Sequence, residues 1–441
     1  MKILLVNPPV SNIREPIHDI PKFLNLGLAT IFSELVSKTD HEIFFIDCKF
    51  ERLNQFDLIN KIEEINPEII GFSLKSVDAN IVFDLTKKIK RLYPNITLVA
   101  GGAHASAVKN DLIDSADIDH VFCGESEELF LDFLDKIERG ETPEKVFQTD
   151  NFIINIPMVR WDILPKAEKY FVMSSRGCPF NCIFCMRVLG EKIRKRTSND
   201  ILKEFSLILK RNPKASIEFA DETFTVDKDF AIKTLKKIKE KNLLPEKGLI
   251  ISTRVDTLDK KTIRLLKKYG VRKIIVGIES GDEKILKNTC KGIQLDKALL
   301  ICKEIRKNKI QLETNFIVGL PGENIKSVIK TAIFAAKTRS DNISVSIAVP
   351  YPGTRLHDMA KNGEFGYILR DVDWSEYNNE LSGALESKRM SINSLRLAQL
   401  FIYVFSFLGQ LRFIDFLRFC KKYRIEAITF LKNGVRSTNN I

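Results

Sequence analysis

The sequence runs to 441 residues, 44% of them hydrophobic, with eight cysteines and a formal net charge of +12. That length predicts about three domains, with enough apolar content for a substantial core. Lysines and arginines are spread along the chain opposite acidic residues, the pattern of a solvated basic surface, so no specific nucleic-acid partner is expected.

The opening MKILLVNPP reads as a strand broken early by proline, too short for a signal peptide. Candidate strands lie at 2–7, 42–47, 68–74, 96–102 and 120–124. Amphipathic helical segments lie at 24–38, 56–66, 81–93 and 127–140. This alternation predicts a doubly wound parallel sheet, Rossmann- or flavodoxin-like, over residues 1–140. Such sheets bind ligands outside the carboxyl ends of their strands. The unusual residues fall at those ends: Asn7-Pro8-Pro9, then Ser73, then Gly101-Gly102-Ala103-His104, then Gly124-Glu125-Ser126-Glu127. Glycine there admits a ligand to the backbone, although many strand-to-helix turns need glycine in any case. Four such ends on one edge favour a binding site. No GxGxxG is present, which disfavours a dinucleotide.

Residues 141–169, with Pro143, Pro157 and Pro165, read as a linker. A second series follows, with strands at 170–175, 216–221, 249–256, 273–280, 312–320 and 343–351. Helical segments lie at 200–211, 229–241, 261–269, 296–308 and 325–338. Six βα-like units predict a partial (β/α)6 barrel over 170–385, with its chemistry at the carboxyl ends of the strands. The first barrel strand leads into SSRGCPFNCIFCMR, residues 174–187, which holds Cys178, Cys182 and Cys185. The chain reads as a cytoplasmic, reducing-compartment protein, where a disulfide with a spare thiol is disfavoured. A zinc site usually wants two cysteine pairs or a fourth ligand nearby, and Cys290, Cys302 and His104 are all distant in sequence. A four-iron cluster usually takes four thiolates, so three on one loop leave one iron open to a substrate or cofactor.

The run from Arg176 to Cys185, RGCPFNCIFC, resembles the signature of the radical S-adenosylmethionine (SAM) superfamily. The resemblance implies a [4Fe-4S] cluster on Cys178, Cys182 and Cys185, with SAM on the open iron and Phe184 beside the adenine. The later segments FADETFT, STRVD, VGIESG, FIVGLPGE and VPYPGT resemble the family's strand-end motifs. They imply SAM-site roles for Asp221, Arg254, Glu279, Gly319 and Pro350, with Glu279 at the ribose or amino group and residues 349–354 offering backbone to the adenine. Asp221-Glu222 departs mildly from the usual pair of aspartates. Each of Asp221, Arg254 and Glu279 also reads as an ordinary rim salt bridge. VNPP, NLGLA, GFS, GGAHAS and GESEE resemble the cobalamin-binding domain found ahead of this type of barrel. They imply cobalamin contacts from Asn7, Ser73, Gly101, Gly102, His104, Gly124 and Glu125. The Asp-x-His-x-x-Gly motif is absent, Ser73 is followed by Leu74-Lys75, and His18 and His41 stand in the wrong context. Cobalt is therefore expected base-off and without a protein histidine, with His104 supporting the site from behind or capping backbone rather than ligating cobalt.

The implied function is a cobalamin-dependent radical SAM methyltransferase acting on an unactivated carbon or a phosphinate phosphorus. The same architecture also supports cyclisation or rearrangement without methyl transfer. A tRNA methylthiotransferase would carry three further cysteines in its first domain, where this chain has only Cys48 and Cys123. A non-catalytic cobalamin or iron–sulfur sensor would not need the full set of strand-end motifs. Implied partners are a small-molecule or lipid-like substrate and an external electron donor such as flavodoxin or ferredoxin.

Residues 386–441 match no motif. Phe401, Phe405, Phe407, Phe413, Phe416 and Phe419 are interleaved with Arg396, Arg412 and Arg418 in a helical pattern. Helices closing the open side of the barrel are expected. A lipid-facing surface in peripheral membrane contact and the wall of an apolar substrate pocket are the alternatives. No apolar run reaches the ~18 residues of a transmembrane segment; the longest, 400–408, stops at Gly409. Cys48, Cys123, Cys290, Cys302 and Cys420 read as plain thiols.

Overall fold

A computed structural model describes residues 1–10, 21–115, 117–148, 152–410, 412 and 417. His18, Phe413, Phe416, Arg418, Phe419 and Cys420 lie outside the described residues.

The first sheet contains β1 (Lys2–Asn7), β2 (Glu42–Asp47), β3 (Ile69–Ser73), β4 (Thr97–Gly101), β5 (His120–Cys123) and β6 (Val146–Gln148), in the order β2-β1-β3-β4-β5-β6. Every pairing is parallel. The strands alternate their side chains between two cores, as a period of two requires. Leu5, Val99 and Phe122 face one core with Leu28, Phe32 and Phe133 from two helices, Leu26–Lys38 and Glu127–Glu138. Leu4, Val6, Ile70 and Leu98 face the other, against Leu58, Ile62, Val82 and Leu85. The chain order reverses between β1 and β3, which makes their carboxyl ends a topological switch point.

Two expectations are corrected here. The segment read as linker contributes β6, which pairs Val121 with Val146 and buries Phe147 in stacked contact with Phe122. Its three residues are too short for a periodic signal. A helix also spans Ala103–Ser115, a stretch that carries no amphipathic pattern. Non-helical backbone at Val108 (φ −123°, ψ 29°) breaks it in two, which erases the 3.6-residue period.

The second sheet takes its strands in chain order: β7 (Lys169–Val172), β10 (Ser216–Phe219), β11 (Leu249–Arg254), β12 (Val271–Glu279), β13 (Gln311–Val318) and β14 (Asn342–Ile347). All are parallel, forming an open half-barrel. Between β7 and β10 a short antiparallel ribbon joins β8 (Ser175–Arg176) to β9 (Arg194–Lys195). It closes the base of the cysteine loop.

The helix Ile392–Gly409 lies along the exposed edge of β14. Gln399 donates to the Val345 carbonyl at 2.7 Å, and the Val345 amide donates to the Tyr403 hydroxyl at 2.9 Å. These side chains satisfy edge-strand groups that would otherwise template another strand. The helix has 18 residues and a mean hydropathy of 1.3, long and apolar enough to cross a membrane by length and composition. This revises the reading from runs alone. Arg396 and Gln399 interrupt the apolar run without lowering the average far. Here Ile392, Leu395, Ala398 and Ile402 are buried against the barrel.

Candidate functional site

The cysteine loop leaves the carboxyl end of the first barrel strand under tight local control. Asp221, after β10, accepts from the Ser174 amide at 2.7 Å and from the hydroxyls of Ser174 and Ser175, each at 2.6 Å. It thus pins the residues that lead into the loop. Burial pushes its carboxyl above the usual range, while these bonds favour the ionised form. Gly177 has φ +96°, and a Cβ there would collide with the Lys192 carbonyl. Only glycine lets the loop pass this close to its own return strand.

Cys178 lies 3.8 Å from the Thr223 hydroxyl. Arg254 donates to Cys182 Sγ at 3.5 Å, stacks over Phe180 at 3.8 Å and is held by Asp256 at 2.7 and 2.9 Å. A hydrogen bond from Cys185 pulls the Cys182 thiol below its ordinary range against the opposing effect of burial, and the charges of Lys291 and Arg254 pull the same way. Among the described residues no three ligating side chains converge on a single-ion site. A four-iron cluster spreads its ligands over separate corners, so thiols strung along one loop with a thiolate-favouring cation beside them suit it better than zinc.

Glu279 ends β12 at a bulge with φ +70°, rare for a residue with a side chain. Its carboxylate folds back over Gly277, where a Cβ would collide with it. It meets the Lys291 ammonium at 2.9 Å, both side chains being under a tenth exposed. Such strain persists where the surroundings fix it, often at functional sites. Lys291 was not singled out from sequence. Its neighbours Cys290 and Gly292 match no motif, and only the fold brings it to Glu279 and Cys182.

Three SAM-site candidates sit nearby in different company. Phe184 packs with Ile183, Ala348 and Leu356. The Gly319 amide donates to Glu323, and its carbonyl accepts from Tyr367 at 2.8 Å. The Pro350 carbonyl is 3.0 Å from His357 Nδ1.

Across the interface, the carboxyl edge of the first sheet surrounds a cavity of about 270 Å³. Ser73, Gly101, Gly102, Gly124 and Glu125 line it, with Leu5, Gly71 and Val99 along the strands behind them. Asn7 and His104 do not. Asn7 bonds Asp47 at 2.7 Å and Asn25 at 3.1 Å, and Asn25 reaches Ser73 at 3.0 Å, so Asn7 shapes the turns instead. His104 is buried, with Nδ1 2.9 Å from the Ser76 hydroxyl and its ring edge-on to Trp374. Burial pulls it down to about 4, so it is neutral. His41 lies at the far end of the sheet, beside Met1 and Glu138.

Glu125 has an unexpected set of partners. It pairs with Arg176 at 3.1 Å and Arg194 at 2.6 Å and accepts from the Ile153 amide at 2.8 Å. Glu127 pairs with the same Arg176 at 2.6 Å. The two domains are thereby clamped through the arginine that opens the RGCPFNC motif. The largely apolar cavity and its glycine walls fit the tail of a cobalamin. A second cavity, of about 320 Å³, brings Ser106 and Ala107 of the first domain to Cys182, Cys185, Met186, Gly353 and Arg355.

Comparisons agree with this geometry. Residues 172–335 match the model of the radical SAM superfamily, and residues 22–134 match that of the B12 binding domain. An uncharacterized methyltransferase of Pyrococcus horikoshii is 30% identical over 86% of this chain and 86% of its own length. The cytidylyl-2-hydroxyethylphosphonate methyltransferase of Streptomyces wedmorensis is 24% identical, over 80% of each chain. The radical SAM methyltransferase TsrM of Kitasatospora setae, solved with cobalamin and a [4Fe-4S] cluster, superposes with a TM-score of 0.72 at 14% identity. That match covers 92% of this chain and 88% of TsrM and speaks to the fold. The three-cysteine loop on a half-barrel, docked against a doubly wound sheet with a cavity at its carboxyl edge, makes this chain a member of the radical SAM enzymes that carry an amino-terminal B12-binding domain.

Proposed function

We propose that the chain is a cobalamin-dependent radical SAM methyltransferase acting on an unactivated carbon, or a phosphinate phosphorus, of a small or lipid-like molecule. The observation that supports this is the cavity between Ser106-Ala107 and the cysteine loop, which brings the edge proposed for cobalamin to the thiols proposed for the cluster. When bound, the cluster with SAM supplies a 5′-deoxyadenosyl radical for hydrogen abstraction, and cobalamin supplies the methyl group. The chain's own residues set the stage. Cys178, Cys182 and Cys185 hold the cluster, Arg254 and Lys291 favour its thiolates, and Glu279 with Lys291 offers opposite charges for the amino and carboxylate ends of SAM. Ser106 accepts from the Gly124 amide at 2.9 Å and donates to the Gly102 carbonyl at 2.9 Å, which ties two glycine turns of the cobalamin edge together. An external donor such as flavodoxin or ferredoxin would deliver the reducing electron.

The test needs no knowledge of the substrate. Anaerobically reconstituted protein is given cobalamin, a strong reductant and SAM labelled in its methyl group. Label recovered with the cobalamin fraction, alongside slow release of 5′-deoxyadenosine, is the expected result. Release of 5′-deoxyadenosine with bound but unlabelled cobalamin would sink the methyltransferase reading and favour cyclisation or rearrangement.

A further inference from the structure

The edge cavity of the first domain has a floor that the first domain does not supply. Met173, Arg176, Arg196 and Glu204 of the barrel line it. Both arginines are 5% exposed. Arg176 engages Glu125 and Glu127 through its two terminal nitrogens, and its Nε has no partner among the described residues. Arg196 donates from Nη1 to Glu204 at 2.5 Å and to the Met173 carbonyl at 2.9 Å, while its Nε and Nη2 have none. A guanidinium does not shed its proton, so these donors stay donors. Buried donors left without acceptors are costly and rare, and each calls for an explanation. Here three belong to residues around one cavity whose walls are mostly apolar, among them Leu5, Gly71, Val99, Phe122 and Phe130, with the carboxylates Glu125 and Glu127 already engaged by Arg176. An occupant with an apolar body and acceptors at one end matches those walls.

We infer that Arg176 and Arg196 recognise the nucleotide tail of cobalamin, so that the cofactor held by the first domain is read by the barrel. This rests on the cobalamin reading above. The tail combines a flat apolar benzimidazole with acceptors on its free ring nitrogen, ribose and phosphodiester. Arg176 directly precedes Gly177 and Cys178, and Glu125 directly follows Gly124. Tail pocket, domain clamp and cysteine loop therefore share one buried charge network, and Arg176 and Arg196 act as positioning residues. Neither was predictable as a cofactor contact, because both lie in the other domain's sequence.

The test compares cobalamin with cobinamide, which lacks the nucleotide. Equilibrium dialysis of the full chain should show cobalamin held at least tenfold more tightly than cobinamide, the least that one hydrogen bond to a charged donor provides. The double variant Arg196→Met, Glu204→Gln removes the two orphan donors of Arg196 without stranding a buried carboxylate. Its glutamine keeps an acceptor for Trp161 Nε1, now 2.8 Å from Glu204. It should lose about tenfold or more in cobalamin affinity, with cobinamide affinity unchanged and cluster absorbance intact. Equal losses for both ligands, or none for either, would overturn the inference. If the double variant does not fold, Arg176→Lys carries the same comparison, since lysine keeps the charge but offers no Nε. Wild-type protein that holds both ligands equally overturns this inference alone. Wild-type protein that holds neither overturns it together with the proposed function.

Discussion

The cysteine loop presents its ligands as side chains within eight residues, from Cys178 to Cys185, whereas the edge cavity of the first domain is made largely by side chains that are missing. Gly71 and Gly101 stand where strand residues would otherwise fill the space, and the walls come from four strands, two helices, the segment 156–159 and the neighbouring barrel. A site built from ligands is destroyed by taking atoms away. A site built from empty volume is destroyed by adding them. The two regions should therefore fail independently and to opposite kinds of substitution.

The largest effect is expected from removing Cys178, Cys182 and Cys185 together with alanine. Wild-type protein reconstituted anaerobically should hold about four irons and four sulfides, and the triple variant none. SAM cleavage should vanish with the cluster, while cobalamin uptake survives because no cysteine lines the tail cavity. Stoichiometric zinc without iron in anaerobically purified wild-type protein would contradict this assignment.

The converse experiment fills the cavity. At Gly101 a Cβ would lie 3.7 Å from the Phe122 side chain and 3.8 Å from the Ser126 hydroxyl, ordinary contacts that the backbone tolerates. Gly101→Val should cut cobalamin retention by about a hundredfold or more, the equivalent of roughly 3 kcal/mol, and leave iron content unchanged. Gly102→Val is the tempting alternative but a poorer probe. Gly102 has φ +102°, and its Cβ would lie 2.9 Å from the Leu74 carbonyl. Valine there strains the turn and lowers the melting temperature of the domain rather than plugging the ligand path. Equal melting temperatures for the two variants would contradict that distinction.

A smaller effect is expected at Glu279. Glu279→Ala removes a hydrogen-bonding charge from the rim of the cluster while the cysteines stay in place. SAM affinity, measured by dialysis on reconstituted protein, should fall by about 1.5–3 kcal/mol with cluster absorbance unchanged. Unaltered affinity would reduce Glu279 to a structural partner of Lys291.

What sequence alone could and could not show follows from the same contrast. β1 and β2 are bounded as the apolar runs indicated, and all six barrel strands are where alternation put them, because buried parallel strands are continuous apolar stretches. The cysteine loop was legible because its function is local. The helix Ala103–Ser115 and the three-residue β6 escaped, since neither carries a full period. Lys291, Arg194 and Arg196 escaped for a different reason. Charged residues are common in this chain, and only tertiary packing distinguishes a buried ion-pair partner from a solvated one. Asp221, Glu125 and Asn7 are implied as ligand contacts by the family motifs that they resemble. The fold gives each a supporting partner set, on Ser174 and Ser175, on Arg176 and Arg194, and on Asp47 and Asn25 respectively.

The remaining effects are on stability rather than on ligand binding, and they run in opposite directions in the two domains. Burial raises the Glu323 carboxyl from 4.5 to about 8. Its folded form favours the proton, so its contribution is present below about pH 4.5 and fades as pH rises through 8. By linkage the full swing is on the order of 4–5 kcal/mol. Glu323→Gln should flatten that alkaline decline. His104 does the reverse. Burial lowers it from 6.5 to about 4, so the folded form excludes a proton that the unfolded chain binds. Its contribution is present above about pH 6.5 and is lost as pH falls through 4, with a swing on the order of 3 kcal/mol. The groups facing it are the Ser76 hydroxyl and the Trp374 ring, neither of which supplies a compensating negative charge. His104→Gln keeps a polar partner for Ser76 and removes the titration. Melting curves from pH 7 to pH 4 should therefore fall less steeply for the variant than for the wild type. Parallel curves would mean that His104 is hydrated and titrates normally, and that Trp374 does not seal this end of the first domain.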